Sequence, residues 1–229
     1  METSKMPFSP KTLEFIFENH AHDSKDWFNA HRSDFEQYVK APFRELVEQL
    51  TPTMLKIDPE FICDPKRLSR IYRDARYAKG KSIFRDYMWY SFGRKKEDVI
   101  KTYPEYYFSV SPTGFDYGCG YYCPTSDTMA AMRKLIISGD PAFEKAKAAY
   151  TSQKVFDMGG TVYKRDRYPD QPAENRLWLN RKDIYFFTAS SDFDALYSPD
   201  LPKMIARDFK KISPIYDFFI KAEQIKDNL

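Results

Sequence analysis

Tyr106-Tyr107-Phe108-Ser109-Val110-Ser111-Pro112-Thr113-Gly114-Phe115-Asp116-Tyr117-Gly118-Cys119-Gly120-Tyr121-Tyr122 decides the fold. Two runs rich in aromatic and β-branched residues, Tyr106–Val110 and Phe115–Tyr122, flank Ser111-Pro112-Thr113-Gly114. Pro and Gly inside a four-residue connection suit a turn between strands, so the stretch reads as a hairpin. Gly118 and Gly120 fall on one face of its second strand and leave a flat patch where another element or a ligand approaches the backbone.

The same texture recurs outward. Leu68–Asp74 and Tyr87–Phe92 read as strands upstream, the latter followed by turn chemistry at Gly93-Arg94-Lys95-Lys96. Val162-Tyr163 and Ile184–Thr188 are short strands downstream. Sequential strands with short links imply an antiparallel meander.

Helices surround it. Ser9-Pro10 opens one with Leu13, Ile16 and Phe17 at helical spacing, ending near Asn19-His20. Asp23 is placed to cap a second, carrying Trp27, Phe28, Phe35, Tyr38 and Val39. Pro42 interrupts or restarts it, and Phe43, Leu46, Val47 and Leu50 give an apolar stripe that stops at Asp58-Pro59. Thr125–Ile137 and Ala142–Tyr150 form a middle pair, and Asp200–Lys226 a final helix kinked at Pro214. Arg165–Glu174 is a polar loop. The expectation is a single α+β domain over residues 1–229, a largely antiparallel meander sheet packed by N-terminal, middle and C-terminal helices.

Composition narrows the function. Hydrophobic residues make up 42% of the 229 and charged residues 30%, an ordinary globular balance. Lys+Arg 36 against Asp+Glu 33 leaves a net charge of +3, too even for a dedicated nucleic-acid binder. Any positive surface is local. No window approaches the roughly 18 apolar residues of a membrane helix. The N-terminus lacks the apolar core and cleavage pattern of a secretory signal. Cys63, Cys119 and Cys123 are an odd, sparse set, so a reducing, cytoplasmic setting is expected.

The local positive surface is Arg67–Arg85, R-L-S-R-I-Y-R-D-A-R-Y-A-K-G-K-S-I-F-R. Arg67, Arg70, Arg73, Arg76, Lys79, Lys81 and Arg85 crowd one carboxylate, Asp74, and alternate with Leu68, Ile71, Tyr72, Tyr77 and Phe84. If Leu68–Asp74 is a strand, Arg70, Tyr72 and Asp74 share a face, with Ile71 and Arg73 on the other. The bland outcome is an Arg70–Asp74 ion pair at a sheet edge. The functional outcome is an anion site, since guanidinium groups bind phosphates and carboxylates in a two-point grip. Arginines around Asp74 depress its pKa, which suits an orienting group better than a base.

Other candidates carry less. His20-x-His22 lacks the further ligands of a metal site, and His31, about a turn beyond Trp27-Phe28, is expected to hydrogen-bond within the fold. Cys119 and Cys123 read as structural thiols. Lys164, Arg165, Arg167, Arg176, Arg181 and Lys182, with Tyr163, Tyr168 and Trp178, form a second basic group. Rings beside cations suit single-stranded nucleic acid; the plainer outcome is a solvated loop held by core aromatics. No metal-site pattern is present, and no catalytic residue or cofactor is indicated.

The string Arg70-Ile71-Tyr72-Arg73-Asp74-x-Arg76-Tyr77-x-Lys79-x-Lys81, with Asp26-Trp27-Phe28 and His31-Arg32 upstream, resembles a bacterial and fungal family of conserved hypothetical proteins, domain of unknown function 2461. The resemblance extends through Tyr106-Tyr107-Phe108, Gly118-x-Gly120 and the Met129–Ile137 helix with Arg133. Ala75, Gly80 and Ile83 stand where Thr, Asp and Pro are common in the family. The resemblance implies a single cytosolic domain and supplies no activity.

The leading expectation is a binding protein or enzyme for a phosphorylated or otherwise anionic ligand. Arg70, Arg73, Arg76, Lys79 and Lys81 supply charge, Asp74 orients them, and Tyr72 and Tyr77 form walls. The alternatives are a single-stranded nucleic-acid-binding module using both basic groups, and a structural or interaction protein without a small ligand.

Overall fold

The computed structural model describes residues 8–74, 76, 80, 82–95, 103–121 and 123–226. The hairpin is as read: β3 (Glu105–Ser111) and β4 (Gly114–Gly120) pair antiparallel from Glu105↔Gly120 to Ser111↔Gly114, leaving Pro112-Thr113 as the loop. With β1 (Phe61–Ile62), β2 (Met88–Arg94), β5 (Asp157–Gly159) and β6 (Tyr185–Ser190) they make a six-stranded antiparallel sheet, order β1-β2-β3-β4-β6-β5. The chain is α+β. Period-two alternation sends Met88, Tyr90, Phe92, Tyr106, Phe108, Val110, Phe115, Tyr117 and Cys119 into the core.

Helices cover that face. α1 (Pro10–His22) opens with Thr12 Oγ1 accepting from the Ser9 N–H at 3.3 Å. α2 (Lys25–Ala30) is capped by Ser24, whose hydroxyl accepts from Trp27 N–H at 3.3 Å. Asp23 is therefore not the cap. It sits in a left-handed turn (φ 46°) and its carboxylate accepts from Ser82, Ile83 and Phe84 instead. A three-residue α3 (Arg32–Asp34) runs into a π-helical segment, Phe35–Lys40, and on into α4 (Ala41–Ile57). Then come α5 (Ser126–Ile137), α6 (Pro141–Thr151), α7 (Ala173–Leu179) and α8 (Phe193–Tyr197). The long final helix divides into α9 (Leu201–Lys211) and α10 (Ser213–Lys226), parted at Ile212 just before Pro214. Tyr106 meets Phe209 of α9 at 4.7 Å and Tyr216 of α10 at 5.5 Å, so the C-terminal helices close over β3 and β4.

Three expectations change. Val162-Tyr163 is not a strand but a single bridge, Val162↔Arg181. Gly93 and Arg94 belong to β2 rather than to a turn. Leu68–Asp74 is not a strand: it reduces to an isolated bridge, Tyr72↔Phe84. The register explains why. Arg73 N–H bonds Ile83 O and Arg85 N–H bonds Ile71 O, both at 2.8 Å, but Ser69 N–H bonds Trp89 O at 2.9 Å, two residues out of step. Extra residues bulging between Arg85 and Trp89 break the ladder. The flat patch at Gly118 and Gly120 is taken by β6 itself, since a Cβ at Gly118 would fall 2.0 Å from Phe186 O.

Candidate functional site

A cleft of about 640 Å³ opens where the N-terminal helices meet the segment that leaves β1. One wall is helical, carrying Arg32, Glu36, Lys40 and Arg44 at intervals of four. In an α-helix four residues advance 400°, so such a column drifts 40° per step. The π-helical segment absorbs part of that drift, because its wider turn closes across five residues, as where Ala41 N–H bonds Glu36 O. The opposite wall is Asp64, Lys66, Arg70 and Tyr72. Asp64 fixes its start by accepting Lys66 N–H at 2.9 Å. Phe28, Phe35, Leu68 and Ile71 supply the apolar lining.

The charges divide sharply. Lys40 Nζ lies 2.6 Å from Glu36 Oε1 and 5.4 Å from the centre of the Phe35 ring. Arg32, Arg44, Lys66 and Arg70 are exposed and have no carboxylate partner among the described residues.

The expected arginine string behaves differently from its appearance in sequence. Arg73 reaches Asp86 at 2.8 Å and Phe84 O at 3.2 Å. Arg76 grips Asp74 through two bonds, Nε–Oδ1 3.0 Å and Nη2–Oδ2 2.7 Å. Those bonds, first among several causes, hold the Asp74 carboxyl well below the usual range, with the Arg70 charge contributing last. Among the described residues Asp74 thus clamps Arg76. Arg67 donates to Ile62 O and Gly93 O, tying β1 to β2, and Arg85 lies over Trp89 at 4.7 Å. Arg70 and Tyr72 reach the cleft. Tyr77, Lys79 and Lys81 lie outside the described residues.

This chain matches the family described as "Conserved hypothetical protein (DUF2461)" over residues 11–218. It belongs to that family. The match spans both walls of the cleft. No curated protein matches the chain.

Sequence reasoning missed Arg32, Lys40, Arg44 and Lys66 as a group, although Arg32 stood in the family string. Spacing by four along a helix was the available signal. The histidines are held internally: His31 Nδ1 is 2.8 Å from Trp27 O, and His20 Nδ1 is 3.2 Å from Phe84 O. Trp27 is stacked between His31 and His22, at 4.1 and 4.9 Å.

The second basic group is largely structural. Trp178 is 2% exposed and packs on Phe143 and Phe186, so it offers no ring to a base. Arg176 pairs with Asp166 at 2.9 Å, and Arg181 donates to Leu177 O, Gly160 O and Met158 O. Burial pushes the Arg181 pKa down. Arg167 lies 3.8 Å from the centre of the Tyr163 ring, and Arg133 donates to its hydroxyl at 3.2 Å. Among the described residues no helix is long and apolar enough to cross a membrane.

Proposed function

We propose that this family member binds a phosphorylated or otherwise anionic small ligand in the cleft between the helical column and the Asp64–Tyr72 segment. The observation that supports it is four exposed cations, Arg32, Arg44, Lys66 and Arg70, around one concavity without carboxylates of their own among the described residues. A phosphate or carboxylate between the walls accepts charge-assisted hydrogen bonds from such guanidinium and ammonium groups. The sparse, odd set of three cysteines suits a reducing, cytoplasmic setting for the same reading.

Titration calorimetry with inorganic phosphate and sugar phosphates tests it, comparing wild type with Arg44→Ala/Arg70→Ala. The double variant is expected to lose about a hundred-fold or more in affinity, at roughly 1.5–3 kcal/mol for each hydrogen bond to a charged group. Affinity should weaken as salt shortens the screening length. Equal, negligible heats from both proteins remove the reading.

A further inference from the structure

The reading above calls for an anion and leaves open what carries it. A volume of about 640 Å³ is in the range of pockets that enclose a whole small molecule rather than a bare ion. The cations stand on both walls, so an oxyanion between them leaves the remaining space to the ligand's body. That space is lined in part by the apolar Phe28, Phe35, Leu68 and Ile71, with Asn29 and Ser69 as polar neighbours, which suits a body with an apolar face and a few hydrogen-bonding edges.

Tyr72 adds direction. It remains 37% exposed and borders the cleft, although Ile71 before it is 4% exposed. Its ring is held from behind by two buried rings, Phe28 edge-on at 5.5 Å and Phe84 at 4.8 Å. An immobilised ring with an open surface beside cations is a stacking platform, because a planar partner meets it with little loss of side-chain freedom. Neither Phe28 nor Phe84 can serve in its place, being 5% and 0% exposed.

We propose that the ligand is a phosphate ester of a planar aromatic body, the nucleoside monophosphate class. Its phosphate is held between the two walls by Arg70 with cations of the helical column, and its ring stacks on Tyr72. This rests on the anion-binding reading and extends it.

The experiment is calorimetry at one salt concentration with three probes: inorganic phosphate, ribose 5-phosphate and adenosine 5′-monophosphate. Wild type is expected to bind the nucleotide about ten-fold more tightly than ribose 5-phosphate, the scale of one stacked base. Tyr72→Phe keeps that ratio. Tyr72→Ala and Tyr72→Leu bring the ratio of the two affinities to about one, the ratio rather than either affinity being the readout; the leucine variant guards against loss of packing on Phe28 and Phe84. Equal binding of nucleotide and ribose 5-phosphate by wild type overturns the stacking inference and leaves the anion site standing. A ratio that survives both Tyr72→Ala and Tyr72→Leu also overturns it. If none of the three probes binds, the anion site and the inference fall together.

Discussion

Asn19 has no exposed surface, and neither atom of its amide has a hydrogen-bond partner among the described residues. It lies in α1 one turn after Phe15 and Ile16, so the helix buries a polar group among rings. An unpaired buried amide costs about 1–3 kcal/mol. Leucine reproduces the branch at Cγ without the polarity. Asn19→Leu is therefore expected to stabilise the fold by about 1 kcal/mol, read as a higher urea midpoint at unchanged slope; a lower midpoint means the amide has a role that packing does not reveal. Asp23 shows the reverse situation a turn later. Its Oδ1 accepts from Ser82 Oγ at 2.6 Å, Ile83 N–H at 2.8 Å and Phe84 N–H at 3.2 Å. Partial burial works against the charge, but these bonds outweigh it and hold the carboxyl below its usual range. Asp23→Ala should speed amide exchange at Ile83 and Phe84 and leave exchange in β3 and β4 unaltered. Unchanged exchange at those two amides counts against the clamp. At this scale the sequence misleads most: a carboxylate's partner is set by a turn, so Asp74 next to Arg76 and Asp86 opposite Arg73 claim charges that a linear count leaves over.

Strands were legible where alternation was uninterrupted. Tyr106–Val110 and Phe115–Tyr122 carry apolar residues at every second position and share an unmistakable turn, and both strands appear, the second over Gly114–Gly120, with Tyr122 outside the described residues. Leu68–Asp74 carries the same texture, but a ladder needs a partner in register, and the slip between Arg85 and Trp89 lies in the partner, not in the segment. The cleft was less legible still, because its helical wall comes from residues some forty positions ahead of the arginine string. Nothing in F-E-Q-Y-V-K announces a π-helical turn. Its consequence is testable. Deleting the exposed Gln37 removes the extra residue of the wide turn: eleven α steps of 100° make about 1,100°, so Arg32 stays within about 20° of the face of Arg44. Far-UV circular dichroism and the rise in Tm with inorganic phosphate should both be retained, whereas inserting one alanine after Gln37 turns Arg32 by about 100° and cuts that rise at least as far as Arg32→Ala does. A phosphate response equal to wild type in the insertion variant shows that the alignment of the wall does not matter to binding.

Across the whole molecule, buried carboxylates fasten the C-terminal helices to the sheet. Asp58, at the end of α4 and 3% exposed, accepts from Arg94 Nε of β2 at 2.6 Å and from the Tyr216 hydroxyl of α10 at 2.5 Å. Asp208 of α9, 2% exposed, accepts from the Tyr117 hydroxyl of β4 at 3.0 Å and from Lys211 at 2.7 Å. Burial opposes the charge at both, yet the hydrogen bonds from Arg94 and Tyr216, and from Lys211, Arg207 and Tyr117, bring each carboxyl below its usual range. The same contacts raise the Tyr216 phenol far above its normal value, with burial the larger cause. A carboxyl depressed in the folded chain binds fewer protons there than when unfolded. Its contribution is therefore complete above the unfolded pKa, about 3.9, and is lost as pH falls through the lower folded value. Urea midpoints measured from pH 6 to pH 2.5 should accordingly fall steeply below about pH 4. Asp58→Asn is expected to be less stable at pH 6 by roughly 3–5 kcal/mol, the cost of breaking one side of a buried pair, and to show a shallower acid limb. A variant that merely weakens packing lowers the curve at every pH by the same amount. Parallel curves for wild type and Asp58→Asn thus rule out the carboxylate as the fastening between sheet and helix, whereas curves that converge in acid identify it.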